Sequence, residues 1–138
     1  MYHKIIVVGN LGRDPEMRYT PSGQAVTNFS IASTRRYSDR SGEQREETIW
    51  FRISVWGKQA ETCNQYLSKG RQVLVEGRLN PDDNGNPRTF QRQDGSTGSS
   101  FEITAQTVRF LRGGGDSGNS GGSTYEPGGS QTEDDIPF

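Results

Sequence analysis

A single helical segment interrupts a chain that otherwise reads as short strands and turns, and this order restricts the fold more than any other feature. Apolar or alternating runs predict strands at residues 4–8, 25–34, 48–56, 72–79 and 101–111. Between the third and fourth strands, Ala60, Cys63 and Leu67 recur at helical spacing within residues 58–69, and Gly70 follows as a C-terminal cap. The sequence therefore predicts an all-β fold with one helix.

Long polar connections separate these strands. Residues 35–47 are highly charged and predict an exposed hairpin loop, while residues 13–24 are rich in turn-forming residues. Residues 80–100 predict a second long loop, in which residues 88–92 form part of a projecting hairpin. Five strands with one helix between the third and the fourth is the order of a five-stranded oligonucleotide-binding (OB) barrel. We assign this barrel to residues 1–112.

The charges of the chain are divided between a basic body and an acidic tail. The chain has 16 Lys and Arg and 17 Asp and Glu, and residues 113–138 hold five of the acids and none of the bases. Residues 1–112 therefore carry a formal charge of +4 and the tail carries −5. We expect a disordered Gly/Ser-rich linker over residues 113–132 and an acidic tip over residues 133–138. This asymmetry suggests a polyanionic ligand for the body and a basic partner for the tail.

The sequence offers no set of residues for catalysis or for metal binding. Cys63 and His3 are the only cysteine and the only histidine, so neither a disulfide nor a zinc site nor a thiol protease is predicted. Asp14 and Glu16 lie on a predicted turn, where local caps are a better interpretation than a catalytic pair. We therefore expect a protein that is not an enzyme and that needs no metal or other cofactor.

The sequence also indicates where in the cell the protein is expected. No hydrophobic run approaches the length of a membrane span, so no membrane partner is expected. The N-terminus enters a strand at once, which leaves no room for a signal or transit peptide. The expected compartment is the bacterial cytoplasm, at the nucleoid if the ligand is DNA.

The third strand carries the clearest binding chemistry, because residues two apart in a strand share a face. One face presents Phe51, Ile53 and Val55, which predict a core stripe. The other presents two aromatic plates with a cation between them, in the order Trp50, Arg52, Ser54 and Trp56. Both tryptophans could instead belong to the core, but the opposite face already supplies an apolar stripe, and Arg52 would be costly to bury. The pattern favours base stacking on the indoles and a phosphate at the guanidinium.

Aromatic residues also lie among basic residues in the polar loops, where they have no core to fill. Tyr37 follows two arginines, and Phe90 lies between two more. The candidates for base stacking are therefore Tyr37, Trp50, Trp56 and Phe90. The candidates for phosphate binding are Lys4, Arg18, Arg35, Arg36, Arg52, Lys58, Lys69, Arg78, Arg88 and Arg92. Charge for the backbone and rings for the bases are what a single strand of nucleic acid requires.

The chain closely resembles the bacterial single-stranded DNA-binding protein family. The motifs that carry the resemblance are Val8-Gly9-Asn10-Leu11-Gly12-Arg13-Asp14-Pro15-Glu16, Thr48-Ile49-Trp50-Phe51-Arg52, Trp56-Gly57-Lys58, Tyr66-Leu67-Ser68-Lys69-Gly70, Val75-Glu76-Gly77-Arg78-Leu79 and Asp134-Asp135-Ile136-Pro137-Phe138. The resemblance implies a homotetramer of barrels that wraps single-stranded DNA with little sequence preference. Tyr37 stands where many members have Trp, and Trp56 where many have Phe. The match at Phe90 is the weakest, because residues 80–100 are longer than is usual.

The resemblance implies a second function, which belongs to the C-terminal tip. Asp134, Asp135, Ile136, Pro137 and Phe138 match the tip through which the family recruits replication, recombination and repair proteins. An aromatic residue after Ile-Pro, ending in a free carboxylate, suits an apolar pocket with a basic rim. The alternatives are an adaptor barrel of the replication-restart type, which would lack this tip, an RNA chaperone of the cold-shock kind, and a small nuclease using Asp14 and Glu16.

Overall fold

The computed structural model describes residues 2–111, which form seven strands and one helix. In chain order these are β1 (Ile5–Leu11), β2 (Glu16–Tyr19), β3 (Ala25–Ser38), β4 (Gln44–Trp56), α1 (Lys58–Tyr66), β5 (Gln72–Leu79), β6 (Arg88–Gln91) and β7 (Thr97–Phe110). The predicted linker and tip, residues 113–132 and 133–138, lie outside the described residues. Within that described part of the chain, no helix has the length and apolar character needed to cross a membrane.

Five of the strands form a closed barrel. The pairing runs from β1 to β5, β7, β4 and β3, and the end of β1 pairs back with β3 through Asn10 with Ala32 and Leu11 with Ile31. All of these pairs are antiparallel except β4 with β7, which is parallel. Strand β2 adds to the edge of β3, and β6 pairs with the first residues of β7. The predicted five-stranded OB barrel with one helix is confirmed.

The barrel is filled by the apolar residues that alternate along its strands, together with one face of the helix. The predicted core stripe on the third barrel strand, Phe51, Ile53 and Val55, is buried. The helix contributes Ala60 and Cys63, and its C-cap residue Leu67 is also buried. A buried hydrogen bond from the Oγ1 of Thr27 to the carbonyl of Ala60, 2.7 Å long, attaches the helix to β3.

The prediction of a loop over residues 35–47 is wrong. Strands β3 and β4 continue past the barrel and stay paired, without a register shift, up to Ser38 opposite Gln44. Only the turn between them, at residues 39–43, is not strand. The sequence misled because charged residues usually mark loops, whereas both faces of this two-stranded ribbon meet water and can therefore be polar.

Three other boundaries differ from the sequence prediction. The turn-rich segment 13–24 contains the short strand β2, and the loop predicted over 80–100 contains β6 and the start of β7. The helix ends at Tyr66 instead of residue 69, because Leu67 has an extended backbone. Gly70 therefore lies beyond the cap position, although it does adopt a positive φ of 85°.

Four tight turns in the described chain share one design. The first residue of each turn makes two backbone hydrogen bonds. Its N–H donates to the carbonyl of the residue four positions later, and its carbonyl accepts from the N–H of a glycine three positions later. These first residues are Thr20, Asp39, Asp82 and Arg92. The glycines, such as Gly42 and Gly85, have φ near 82° and 83°. A three-residue loop with a glycine in the left-handed region is a common hairpin connection, so the glycine spacing fixes where each hairpin turns.

The turn after β1 is tied to the segment after the helix. The Oδ1 of Asp14 accepts a hydrogen bond from the N–H of Lys69 at 2.8 Å. Gly70 donates its N–H to the carbonyl of Leu11 at 2.8 Å, and Asn10 donates its side-chain Nδ2 to the carbonyl of Gly70 at 3.0 Å. Asp14 therefore joins two distant segments, and the interpretation of this carboxylate as a local cap was wrong.

Candidate nucleic-acid interface

The outward face of strands β2, β3, β4 and β7 brings several candidate residues into neighbouring rows. Residues directly opposite one another in paired strands share a face, with Cβ atoms about 5 Å apart. The register gives four rows. The two end rows hold the tryptophans: Arg18, Val26 and Trp56 at one end, and Ala32 and Trp50 at the other. The two middle rows are Glu16, Asn28, Ser54, Thr104 and Arg78, and then Ser30, Arg52 and Glu102. The two indoles thus lie at opposite ends of a polar strip about 20 Å long, since they are six strand residues apart.

Both tryptophans are exposed, as the alternation along β4 predicted. Trp50 is 54% exposed and Trp56 is 42% exposed, large fractions for indole side chains. Between them, the hydroxyl of Ser54 donates a 2.8 Å hydrogen bond to the Oδ1 of Asn28 across β3. A cleft of about 450 Å³ crosses this strip, and Arg13, Arg18 and Arg52 contribute to its walls. The arrangement offers two flat apolar surfaces with positive charge between them.

Glycine at position 12 creates the space for one of these indoles. A Cβ atom added at Gly12 would lie 2.6 Å from Cζ3 and 2.8 Å from Cη2 of Trp50. The edge of the ring at Cζ3 and Cη2 therefore lies against the backbone of the turn that follows β1, while over half of the side chain stays exposed. In the sequence Gly12 is recognisable only as part of a motif, and no local pattern indicates its contact with the ring.

The other indole lies beside a covered valine. Val26 pairs directly with both Trp56 and Arg18, is only 1% exposed, and does not belong to the barrel core. An apolar residue buried on the outward face is covered by its neighbours there, and the two residues paired directly with Val26 are Trp56 and Arg18. Arg18, on the far side of Val26, lies in the same row as the ring.

A carboxylate lies between two of the predicted phosphate-binding arginines. Glu102 contacts Arg52 through Oε1 at 4.0 Å and Arg88 through Oε2 at 3.7 Å. Its Oε1 also accepts a hydrogen bond from the hydroxyl of Ser100 at 3.0 Å. The parallel pairing of β4 with β7 places Glu102 directly opposite Arg52. This contact connects the β6–β7 hairpin to the tryptophan strip, and no sequence pattern distinguishes Glu102 from other surface carboxylates.

Phe90 lies flat on the opposite strand of the β6–β7 hairpin. It pairs with Gly98, and a Cβ atom added there would be 2.7 Å from its Cζ. The guanidinium carbon of Arg92 is 5.8 Å from the ring centroid, within the range of a cation–π contact. The ring is thus supported on one face by backbone and bordered by a cation.

Tyr37 does not share a face with the tryptophans. Strict alternation along β3 places it on the face that carries Phe29 and Ile31 inside the barrel, whereas Trp50 lies opposite Ala32 on the other face. The guanidinium carbon of Arg35 is 4.9 Å from the centroid of the tyrosine ring. Tyr37 is therefore an exposed ring on the projecting ribbon, set apart from the Trp50–Trp56 strip.

The ribbon formed by residues 35–47 carries no net charge, because four arginines are balanced by four carboxylates. Arg36 pairs with Glu46 at 2.9 Å and Arg35 pairs with Glu47 at 3.3 Å. In the turn, hydrogen bonds from Ser41 and from Arg45 lower the pKa of Asp39 to about 2. Arginines that were predicted to bind phosphate are thus already paired with carboxylates in the unbound chain.

The remaining basic candidates are spread around the barrel. Lys4 pairs with Glu76 across β1 and β5, and a hydrogen bond with this carboxylate raises the pKa of Lys4 and lowers that of Glu76. Lys58 begins the helix two residues after Trp56, and Lys69 lies beside Asp14. Among the described residues, Arg18, Lys58, Lys69, Arg78 and Arg92 form no ion pair within 4.0 Å.

The described part of the chain holds no cluster of three His, Cys, Asp or Glu residues that could bind a metal ion. Burial raises the pKa of Cys63 to about 11, so its thiol is protonated at neutral pH. The interface is therefore built from rings, guanidinium groups, carboxylates and hydroxyls.

A closed OB barrel whose outward face carries two exposed indoles on either side of an arginine defines a small β-barrel of the nucleic-acid-binding class. The sequence profile described as the "Single-strand binding protein family" matches residues 2–111. The chain belongs to the single-strand binding protein family, which confirms the resemblance seen in the sequence. Proteins of this family bind DNA without enzymatic activity, so the prediction of a non-enzyme is confirmed and the nuclease alternative is set aside.

Relatives and solved structures agree with this assignment. The chain is 43% identical to the single-stranded DNA-binding protein of Neisseria meningitidis serogroup A over 91% of its own length and 68% of the relative's. It is 40% identical to that of Helicobacter hepaticus over 80% of its length and 62% of the relative's. A deletion mutant of the single-stranded DNA binding protein from Thermus aquaticus superposes with a TM-score of 0.64 at 31% identity, covering 80% of this chain and 51% of that one.

A second solved structure is a complex with nucleic acid. The Plasmodium falciparum single-stranded DNA-binding protein, bound to single-stranded DNA, superposes with a TM-score of 0.64 at 26% identity. The superposition covers 81% of this chain and 96% of the Plasmodium chain. The shared region is therefore the barrel that makes up nearly the whole of that protein.

Proposed function

We propose that this protein binds single-stranded DNA with little sequence preference and thereby coats and protects exposed strands. The observation that carries the proposal is the Trp50–Trp56 strip, with Arg52 between two exposed indoles. Every base has a flat face that can stack on an aromatic ring, so recognition by rings and charge does not depend on sequence. The names of the relatives and the ligand in the Plasmodium complex support the same conclusion.

The structure supports a ranking of the proposed contacts. Three exposed rings are each proposed to stack a base: Trp50, Trp56 and Phe90. Phe90 lies flat on Gly98, and the edge of Trp50 packs against Gly12. Tyr37 is proposed to stack a base on the projecting ribbon. The cations around the strip are Arg18, Arg52, Arg78 and Lys58. Arg52 is paired with Glu102, and Arg35, Arg36 and Lys4 are also paired with carboxylates, so each of these four would exchange a carboxylate for a phosphate.

Fluorescence titration with oligo-dT tests the binding proposal. Stacking should quench the emission of both tryptophans, and duplex DNA of the same length should bind much more weakly. Trp50→Ala or Trp56→Ala should each cost about 1–3 kcal/mol of binding free energy. Tyr66→Ala, which removes an exposed ring at the end of the helix, is the matched control and should leave affinity unchanged. Equal affinity for duplex and single strand would reject the proposal.

We further propose that the barrels assemble as a homotetramer. The outward face of β1 carries Ile6 and Val8, which are 60% and 42% exposed, and a body of about 110 residues can bury only a limited core alone. One strand of DNA could then cross several equivalent faces, which raises the overall affinity. Sedimentation equilibrium with and without oligo-dT should give the mass of four chains. A monomer at micromolar concentration would contradict this.

The acidic tip, outside the described residues, is proposed to recruit replication, recombination and repair proteins. Asp134, Asp135, Ile136, Pro137 and Phe138 would enter an apolar pocket with a basic rim on the partner. The charges of +4 on the body and −5 on the tail support a division into a DNA-binding half and a partner-binding half. Deleting these five residues should abolish capture of partners from a bacterial lysate and leave affinity for oligo-dT equal or slightly higher. Loss of DNA binding with retained partners would reverse the assignment.

The proposed site of action is the bacterial cytoplasm, at the nucleoid. Relatives with the same family assignment come from bacteria such as Neisseria and Helicobacter. A fluorescent fusion expressed in a bacterium should colocalise with DNA and form foci when replication is blocked. Exclusion of the fusion from the nucleoid would contradict this placement.

A further inference from the structure

We propose that Glu102 is a built-in competitor for phosphate, which holds Arg52 and Arg88 in the unbound protein and weakens the binding of single-stranded DNA. The inference rests on the proposed function, because it assigns a regulating residue to the same interface. Its chemistry is the exchange of a carboxylate for a phosphate between two guanidinium groups.

The carboxylate lies where a phosphate that bridges the two arginines would lie. One oxygen faces Arg52 at 4.0 Å and the other faces Arg88 at 3.7 Å, so the group lies between guanidinium groups on two different strands. A phosphate that bridged these arginines would lie between the same two guanidinium groups, but at the shorter distance of about 2.7–2.9 Å typical of a charge-assisted hydrogen bond. The backbone fixes this position, because Glu102 lies opposite Arg52 in the parallel pair and Ser100 lies opposite Arg88 in the hairpin.

The strength of the contacts suits a competitor better than a structural clamp. Both distances are longer than the 2.9 Å between Arg36 and Glu46 on the ribbon. The side chain of Arg52 is 58% exposed and that of Arg88 is 55% exposed, whereas that of Glu102 is only 25% exposed. Exposed ion pairs of this kind contribute little to folding stability, so a phosphate can displace the carboxylate at small cost. The charge of Glu102 nevertheless stays near the site and repels the incoming phosphate.

Removal of this charge has a measurable consequence for counterions. With Glu102 present, the two arginines carry one compensating charge from the protein itself and need fewer anions from solution. With glutamine there, the interface neutralises about one more phosphate charge, so the DNA releases more of its own counterions on binding. The affinity should therefore rise at low salt and fall more steeply as salt is added.

The test compares the full chain with Glu102→Gln, using an oligo-dT of about eight nucleotides so that a single barrel is titrated. Fluorescence anisotropy between about 50 and 200 mM NaCl gives the affinity and its salt dependence. We expect Glu102→Gln to bind about 3- to 10-fold more tightly at the low-salt end. The slope of log affinity against log salt should become more negative by about 0.7, the value for one more neutralised phosphate charge on a single strand.

Two controls separate this role from a general effect of charge and from a structural effect. Glu61→Gln removes one carboxylate from the first turn of the helix, where no arginine pairs with it within the described residues, and should leave affinity and slope near those of the wild type. In the background of Arg88→Gln, the gain from Glu102→Gln should shrink. If glutamine prevents folding, as judged by circular dichroism, Glu102→Thr provides a second uncharged variant with a high strand propensity.

The outcomes distinguish this inference from the proposed function. A wild-type protein that fails to bind oligo-dT rejects the proposed function itself. A wild-type protein that binds, together with a Glu102→Gln variant of equal or weaker affinity, rejects only the role of Glu102. A gain that is matched by Glu61→Gln also rejects it, because the effect would then come from net charge and not from the contact with Arg52 and Arg88.

Discussion

The indole of Trp50 rests on the backbone of Gly12, so closely that a Cβ atom at residue 12 would lie 2.6 Å from the ring. The two residues are 38 positions apart and meet because β1 closes the barrel against β3, which pairs with β4. A ring whose edge is packed against backbone while over half of the side chain is exposed is restricted in its orientation and still open to a base. The glycine thus contributes to binding without touching the ligand.

Gly12→Ala should displace the ring of Trp50 and weaken the binding of oligo-dT by about 1–3 kcal/mol, the usual contribution of one stacked base. The domain should stay folded, because an exposed ring can rotate away from the new methyl group. Fluorescence titration and the emission maximum of the free protein measure both effects. Gly85→Ala is the control, since it strains a positive φ but meets no atom within 4 Å, and it should reduce stability without changing the tryptophan emission. If Gly12→Ala bound oligo-dT with unchanged affinity, the position of the Trp50 ring would not be important for binding.

Acid should destabilise the ribbon through Asp39. Because the folded pKa is about 2 and the ordinary value is 3.8, the contribution of this carboxylate is fully present above pH 4 and is lost as the pH falls towards 2. Asp39→Asn should therefore lower the urea midpoint at pH 6 and have little effect at pH 2. Asp83→Asn is the control, because this carboxylate has no side-chain hydrogen bond or ion pair in the described chain. It should leave the urea midpoint unchanged at both pH 6 and pH 2. A difference for Asp39→Asn that persists unchanged at pH 2 would argue against this cause.

The thiol of Cys63 should react only when the domain opens. The side chain is fully buried, and its pKa is raised to about 11 from 9.0. Reaction with a disulfide reagent at pH 8 should be slow in the native protein and fast in urea. Since the unfolded thiol ionises at lower pH than the folded one, stability should also decrease as the pH rises above about 9. Rapid modification of the native protein would mean that the helix separates readily from the barrel.

Asp14→Ala should cost about 1–2 kcal/mol of folding free energy, because the N–H of Lys69 loses a charged acceptor. Chemical denaturation measures the cost, and amide hydrogen exchange at Lys69 should become faster. Asp83→Ala on the loop before β6 is the matched control and should be neutral. Affinity for oligo-dT should change little. A larger effect on binding than on stability would indicate that Asp14 acts in the interface.

Much of the interface could be predicted from one strand. Alternation along residues 48–56 separated Trp50, Arg52 and Trp56 from the core residues between them, and the burial of each side follows that prediction. Neither Gly12 nor Glu102 could be identified in this way, since each acts through a residue about 40 or 50 positions distant. The charged segment 35–47 was misassigned for a related reason, because local polarity does not reveal that two strands remain paired in water.

The sequence by itself determined which residues are apolar at a spacing of two, where glycines allow the chain to turn, and how charge divides between body and tail. These are local properties of the covalent chain, and they were enough to define the barrel and its single helix. Only the tertiary structure decided that Trp50 lies on Gly12, that Glu102 separates two arginines, and that Tyr37 faces away from the tryptophans. Strand register and barrel closure set those distances, and both depend on pairings between segments that no local pattern encodes.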